Sequence, residues 1–138
     1  MARRKSKKNS NRPFGEMQAV AYVRIGGYAT AGMADTGSPR SVIAREIAAQ
    51  AQTEATGRRG RMNIAGHRLS GDIVRVNIEM IDCPAKATVD ALVPDKGQRF
   101  PKGLLLGMDF LQGAGLRIDA TTGEAYCSEE SNEEGKRR

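Results

Sequence analysis

The stretch GMADTGSPRSVI, residues 32–43, sets one aspartate between two segments of small and apolar residues. Ala31-Gly32-Met33-Ala34 leads in and Ser41-Val42-Ile43 leads out. Asp and Gly both suit turns. Here, however, both flanks read as buried chain. A carboxylate held between buried segments is costly unless it is hydrogen-bonded or shares its charge. What satisfies Asp35 is therefore the question for the rest of the chain.

Upstream, Met17, Ala19, Ala21, Val23 and Ile25 alternate with Gln18, Val20, Tyr22 and Arg24, and Gly26-Gly27 is a two-residue turn signal. Residues 17–34 thus read as a hairpin whose return strand, from Tyr28, runs straight into Asp35. Downstream, Ser41 is placed as an N-cap, and Val42, Ile43, Ile47 and Ala48 recur at helical spacing. A short helix and a strand followed by a helix both fit residues 41–53. Residues 56–61, TGRRGR, read as exposed and flexible. Asp72 to Met80 is a long strand, with Ile73, Val74, Val76, Ile78 and Met80 marking its apolar face. Asp82-Cys83-Pro84 breaks the chain, and Ala85 to Val93 forms the next strand. This predicts a hairpin with a projecting tip near residues 63–70, with Gly57 to Arg61 as a competing tip. Pro94 to Lys102 is a polar loop. Leu104-Leu105-Leu106 is short enough for a buried strand, and Gly107 ends it. Met108 to Gln112 begins a short helix with Asp109 as cap or first-turn acid. A final hairpin closes around Thr121-Thr122-Gly123.

The composition sets the bounds. A chain of 138 residues supports one domain with a modest core, and with no Trp and few aromatics that core is aliphatic. The 16 glycines favour a hairpin-rich β architecture over a helical bundle. No apolar run approaches the roughly 20 residues of a membrane span, and no apolar segment follows the basic N-terminus as in a secretory signal. Residues 1–12 hold six basic residues and no acid, which leaves 16 basic residues to match the 16 acidic ones in the rest of the chain. The basicity belongs to an arm, which reads either as a solvated tail or as a weak contact for nucleic acid, through residues 1–12 only. Cys83 and Cys127 show no metal-ligand spacing and read as two reduced thiols, which places the protein in the cytoplasm. The composition divides the chain into a basic arm at 1–15, a folded domain at 16–127 and a polar tail at 128–138.

The whole stretch from Gly32 to Ile43, and not its Asp-Thr-Gly core alone, resembles the active-site signature of the aspartic proteases. About 70 residues on, Leu104-Leu105-Leu106-Gly107-Met108-Asp109-Phe110-Leu111 resembles the strand, glycine and short helix that close a retropepsin-like domain. The resemblance covers roughly residues 17–127. It implies an all-β fold: a closed or partly closed β-barrel lobe with a flap hairpin and one short C-terminal helix. Such a lobe is half of a two-fold symmetric active unit. It also implies an aspartic endopeptidase that needs no metal and no cofactor. The chemistry uses a water between two carboxylates, one ionised to take its proton, the other protonated to polarise the scissile carbonyl. This chain carries one DTG, so the second carboxylate would come from the Asp35 of a second copy in a homodimer.

By the same resemblance Asp35, Thr36 and Gly37 are the catalytic residues. Thr36 would donate its hydroxyl across the dimer axis, and Gly37 would leave room for a peptide substrate. Ser38, Ile64, Ala65, Gly66 and Leu106 are the expected substrate-binding residues, and Ile43, Val89 and Leu92 are further candidates for the cleft. His67, the single histidine, is expected at the surface of the flap loop. Three positions depart from the retroviral pattern. Pro39 and Met108 stand where an Asp and an Arg usually pair, and Arg40 with Asp109 is the candidate substitute. Ser38 stands where Ala is usual. A hydroxyl donated from there to the ionised carboxylate would give a more acidic pH optimum. The alternative function is a catalytically silent dimerisation or protein-binding module on the same fold.

Overall fold

A computed structural model describes residues 18–64, 66–100, 103–119, 121 and 125–127. The arm at 1–15, the tail at 128–138 and the flap residue Ala65 lie outside the described residues. Strands β1 (Gln18–Ile25) and β2 (Tyr28–Asp35) form the predicted hairpin, turning at Gly26-Gly27. The alternation in β1 is realised: Ala19, Ala21, Val23 and Ile25 are buried, while Val20, Tyr22 and Arg24 face out. Next comes a two-residue strand, β3 (Val42–Ile43), and then helix α1 (Arg45–Gln50). Ala44 is the N-cap of α1. Ser41 lies three residues earlier and caps nothing, which corrects the N-cap expectation.

Residues 54–64 form a continuous strand, β4 (Glu54–Ile64), so TGRRGR is not a flexible loop. Its ladder with β5 (His67–Met80) overrides the weak strand propensity of Gly and Arg. A bulge separates the pairs Ala55↔Val74 and Arg58↔Ile73. Gly57 takes a left-handed φ of 76° there, and the Thr56 hydroxyl donates to the Ile73 carbonyl at 2.6 Å. Opposite the bulge β5 changes its inward side. Leu69, Gly71 and Ile73 point in before it, and Val76, Ile78 and Met80 after it. Ile73 and Val76 therefore serve two different cores, not one continuous face. This is the strand re-aiming that a bulge produces.

β6 (Lys86–Pro94), β7 (Leu104–Leu106), α2 (Met108–Gly113), β8 (Leu116–Ile118) and β9 (Ala125–Cys127) complete the chain. The large sheet has the order β1-β2-β7-β3-β6-β5-β4, and β1 also pairs with β5. That extra pairing closes six strands into a barrel, with β4 projecting as the outer arm of the β4–β5 hairpin. β8 and β9 form a separate two-stranded sheet. The main core joins Val23, Ile25, Ile43, Ile78, Leu104, Leu106, Phe110 and Leu111. A second cluster, Val42, Leu69, Ile73, Leu92 and Leu105, lies under the hairpin, with Met62, Ile64 and Phe100 packed on it.

Cys83 and Cys127 form a disulfide with their Cα atoms 6.5 Å apart. The expectation of two reduced thiols is thereby corrected. Forty-four residues separate them in sequence, and only the fold brings β9 to the connection after β5. Among the described residues no helix is long and apolar enough to cross a membrane.

Candidate active site

Asp35 is the last residue of β2, and only 3% of its surface is exposed. Parallel pairing of Met33 with Leu105 and Ala34 with Leu106 fixes the strand that delivers it. The chain then turns, and the Gly37 N–H donates to Asp35 Oδ1 at 2.8 Å. The Ser38 N–H donates to the Asp35 carbonyl at 3.2 Å. An amide aimed at the carboxylate partly answers how this acid is held in a buried place. Thr36 is half-buried and Gly37 exposed, so the Asp-Thr-Gly turn opens from a buried acid to a surface glycine.

Ser38 is buried, but its hydroxyl donates to the Arg40 carbonyl at 2.8 Å. A hydroxyl has one proton to give, so Ser38 does not donate to Asp35. The expected acidic shift of the pH optimum loses its physical basis. The proposed Arg40–Asp109 pair is absent as well. Arg40 Nη1 donates to the Asp90 carbonyl at 3.1 Å, and Asp109 turns to Ser41 instead.

The Asp109–Ser41 contact is the part of the site that sequence reasoning missed. The Ser41 hydroxyl donates to Asp109 Oδ1 at 2.8 Å, and its N–H donates to Oδ2 at 3.1 Å. The Phe110 N–H also donates to Oδ1, at 2.8 Å, and the Gly107 N–H donates to Ser41 Oγ at 3.0 Å. Two further amides of α2 reach the residues after the Asp-Thr-Gly turn. Met108 N–H donates to the Ser38 carbonyl at 2.7 Å and Asp109 N–H to the Pro39 carbonyl at 3.2 Å. The first turn of α2 thus clamps residues 38–41, and Asp109 spends its charge on that clamp. Gly107 permits the close approach, since a Cβ there would sit 2.6–2.8 Å from the Arg40 carbonyl and the Ser38 oxygen. The sequence signal was a serine opening the apolar run Val42-Ile43 and an aspartate just after a Leu-Leu-Leu-Gly run, 68 residues on.

The hairpin turns between the paired Ile64 and His67, with Gly66 at φ 81°. The competing tip at Gly57 to Arg61 is instead the bulged strand. Ile64 is half-buried on the second cluster, and Gly66 and His67 are exposed. Leu106 is fully buried in the main core together with Ile43 and Val89. Its neighbour Leu105 points to the other side, where Val42 and Leu92 lie beneath the hairpin. The loop after β6 is tied to the hairpin. Gln98 Oε1 accepts from the Ser70 N–H and its amide donates to the Ser70 hydroxyl, both at 2.9 Å. Arg59 bridges Asp95 and Asp72, while Asp90 receives both Arg58 and Arg75. Hydrogen bonds from Arg75 and Arg58 hold the Asp90 carboxyl below its usual range, and Arg59 does the same for Asp95.

Residues 21–110 match the model of a protein family described as aspartyl protease. No curated protein matches the chain.

Proposed function

We propose that this chain, which belongs to the aspartyl protease family, is an endopeptidase active as a homodimer. The reading is carried by a buried Asp35 at the end of β2 with the Gly37 amide on its carboxylate. Two such carboxylates, one from each copy, would share a water. The ionised one takes a proton as the water attacks, and the protonated one polarises the scissile carbonyl. The proton affinity then belongs to the pair, not to either residue. Thr36 stiffens the turn, and Gly37 and Gly66 let substrate backbone approach from below and above. The substrate is an extended, largely apolar peptide segment. Met62 and Ile64, on the hairpin that would close over it, are partly buried and apolar, and they pack on the buried Val42 and Leu105. In the cytoplasm, the location proposed here, the Cys83–Cys127 pair faces a reducing thiol pool. The basic arm, residues 1–12, adds weak contact with nucleic acid.

The test is cleavage of a mixed peptide library from acid to neutral pH, beside Asp35→Asn and a pepstatin-type inhibitor. The expected result is cleavage that both abolish. A folded dimer that cleaves nothing at any pH would instead establish the binding module.

A further inference from the structure

β4 is the last strand of the large sheet, so one long side of its 11 residues has no strand beside it among the described residues. An open edge of that length takes on another strand unless something guards it. Here the guard is charge. Strand alternation puts Arg59, Arg61 and Asn63 on the outward face of the hairpin, opposite Asp72, Ser70 and Arg68 of β5. Met62 and Ile64, on the other face, pack inward.

The arginines of this hairpin fall into two groups. Toward its base each one already holds a carboxylate: Arg58 and Arg75 share Asp90, and Arg59 takes Asp72 and Asp95. Toward its tip Arg61 and Arg68 are exposed and meet no carboxylate among the described residues. Lys96 and Arg99, on the loop after β6, are exposed in the same way. All four surround Ser70. Arg61 is its partner on β4, and Arg68 lies two residues from it on β5. Lys96 and Arg99 each adjoin a loop residue bonded to it, Asp95 through its N–H and Gln98 through its side chain.

We propose that the open edge of β4 is a docking site for an extended acidic segment of a partner protein, added as a further strand with its carboxylates on Arg61 and Arg68. Strand addition supplies main-chain hydrogen bonds, and alternate side chains supply the selection. A guanidinium takes a carboxylate through two parallel hydrogen bonds. The lower arginines of this hairpin already show that preference, since every partner they have is an aspartate. A basic strand, β4 of another copy included, meets like charge instead. Nucleic acid fits the face less well. The exposed tyrosines lie on β1, β2 and β9, so no ring stands here for a base to stack on. The same hairpin would close over substrate, so the acidic segment flanks the apolar one that is cut. In that last clause the inference rests on the protease reading.

Fluorescence anisotropy of a labelled peptide alternating Glu and Thr, titrated with the full chain, tests the docking apart from turnover. Binding is expected, with hydrogen exchange slowed in residues 54–64. Arg61→Ser with Arg68→Ser, both at exposed positions, is expected to weaken it about tenfold with the circular dichroism spectrum kept. N-methylation of alternate peptide amides keeps every charge and removes main-chain donors, and it is expected to weaken binding as well. The basic arm is present in every sample. Binding that ignores both arginines, or protection that avoids residues 54–64, would assign the peptide to the arm and overturn the inference. Indifference to N-methylation would overturn it too. An oligonucleotide that binds more tightly through the same two arginines would put nucleic acid in the peptide's place. Joined to an apolar peptide, the Glu-Thr extension is expected to lower KM about tenfold with kcat unchanged, and the double variant to lose that gain. Cleavage that gains nothing from the extension would overturn the clause on substrate. A protein that docks the acidic peptide as expected and cuts nothing would leave the edge standing and remove the protease reading.

Discussion

At the scale of single residues, the segment after Asp35 is held by side chains whose partners lie far off in sequence. Asp109→Ala would strand the buried Ser41 hydroxyl and N–H. With each unsatisfied buried group costing about 1–3 kcal/mol, a loss of about 2–4 kcal/mol is expected in urea unfolding. Ser38→Ala removes one hydrogen bond, to the Arg40 carbonyl. It should cost about 1 kcal/mol and leave the pH profile of cleavage where it was. A profile that moved upward would return the Ser38 hydroxyl to Asp35. Gly107→Ala meets backbone atoms and not a flexible side-chain end. It is expected to destabilise by about 1–3 kcal/mol and to lower activity by displacing residues 38–41. The turn at Asp35, Thr36 and Gly37 was legible as a turn, because an Asp and a Gly in that order suit one, and the Gly37 amide on Asp35 fits it. Ser41 was visible as a residue suited to a helix start, and Asp109 as a first-turn acid or a partner for Arg40. A carboxylate reads alike as a first-turn acid or as a clamp until the fold decides what stands opposite. Leu105 and Leu106 were one apolar run in sequence, and strand alternation alone separates them, one toward the hairpin and one into the main core.

At the scale of elements, strands with alternating side chains and glycine turns were readable, and β1, β2, β7, α2 and the final hairpin all stand where local chemistry puts them. β4 was not readable. Its outward face carries arginines, and its order comes from the ladder with β5 and from carboxylates on β6 and in the loop after it. The bulge makes a prediction of its own. Gly57→Ala forces a side chain into left-handed φ and should cost about 1–2 kcal/mol. The arginine–aspartate network gives a pH dependence. Asp90 and Asp95 bind protons less readily folded than unfolded. Their contribution is therefore complete above the ordinary carboxyl value of 3.8 and is lost as pH falls through the lower folded values. These pairs are largely solvent-exposed, so Asp90→Asn should cost no more than about 1 kcal/mol. Thermal unfolding at pH 7 in low and in molar salt checks this, since salt should shrink the difference.

At the scale of the whole molecule, the barrel and its family were legible from two motifs, whereas the disulfide was not. No spacing rule joins cysteines 44 residues apart when the contact depends on where β9 comes to rest. Activity per chain should fall on dilution of the proposed homodimer, with peptide cleavage followed across a concentration series as the check. The sheet order has a further bearing on when such a protein exists at all. β2, which ends in Asp35, is flanked on one side by β7, and their ladder runs between Met33 and Leu105. A ribosome delivers the N-terminal partner first, and at about 5–20 residues per second the intervening stretch of about 70 residues takes roughly 4–14 s. Through that interval the nascent chain has its first hairpin but lacks the strand and helix that clamp residues 38–41. The arrangement of strands thus works as a clock, and the Asp-Thr-Gly turn is clamped only once residues 104–113 have been delivered.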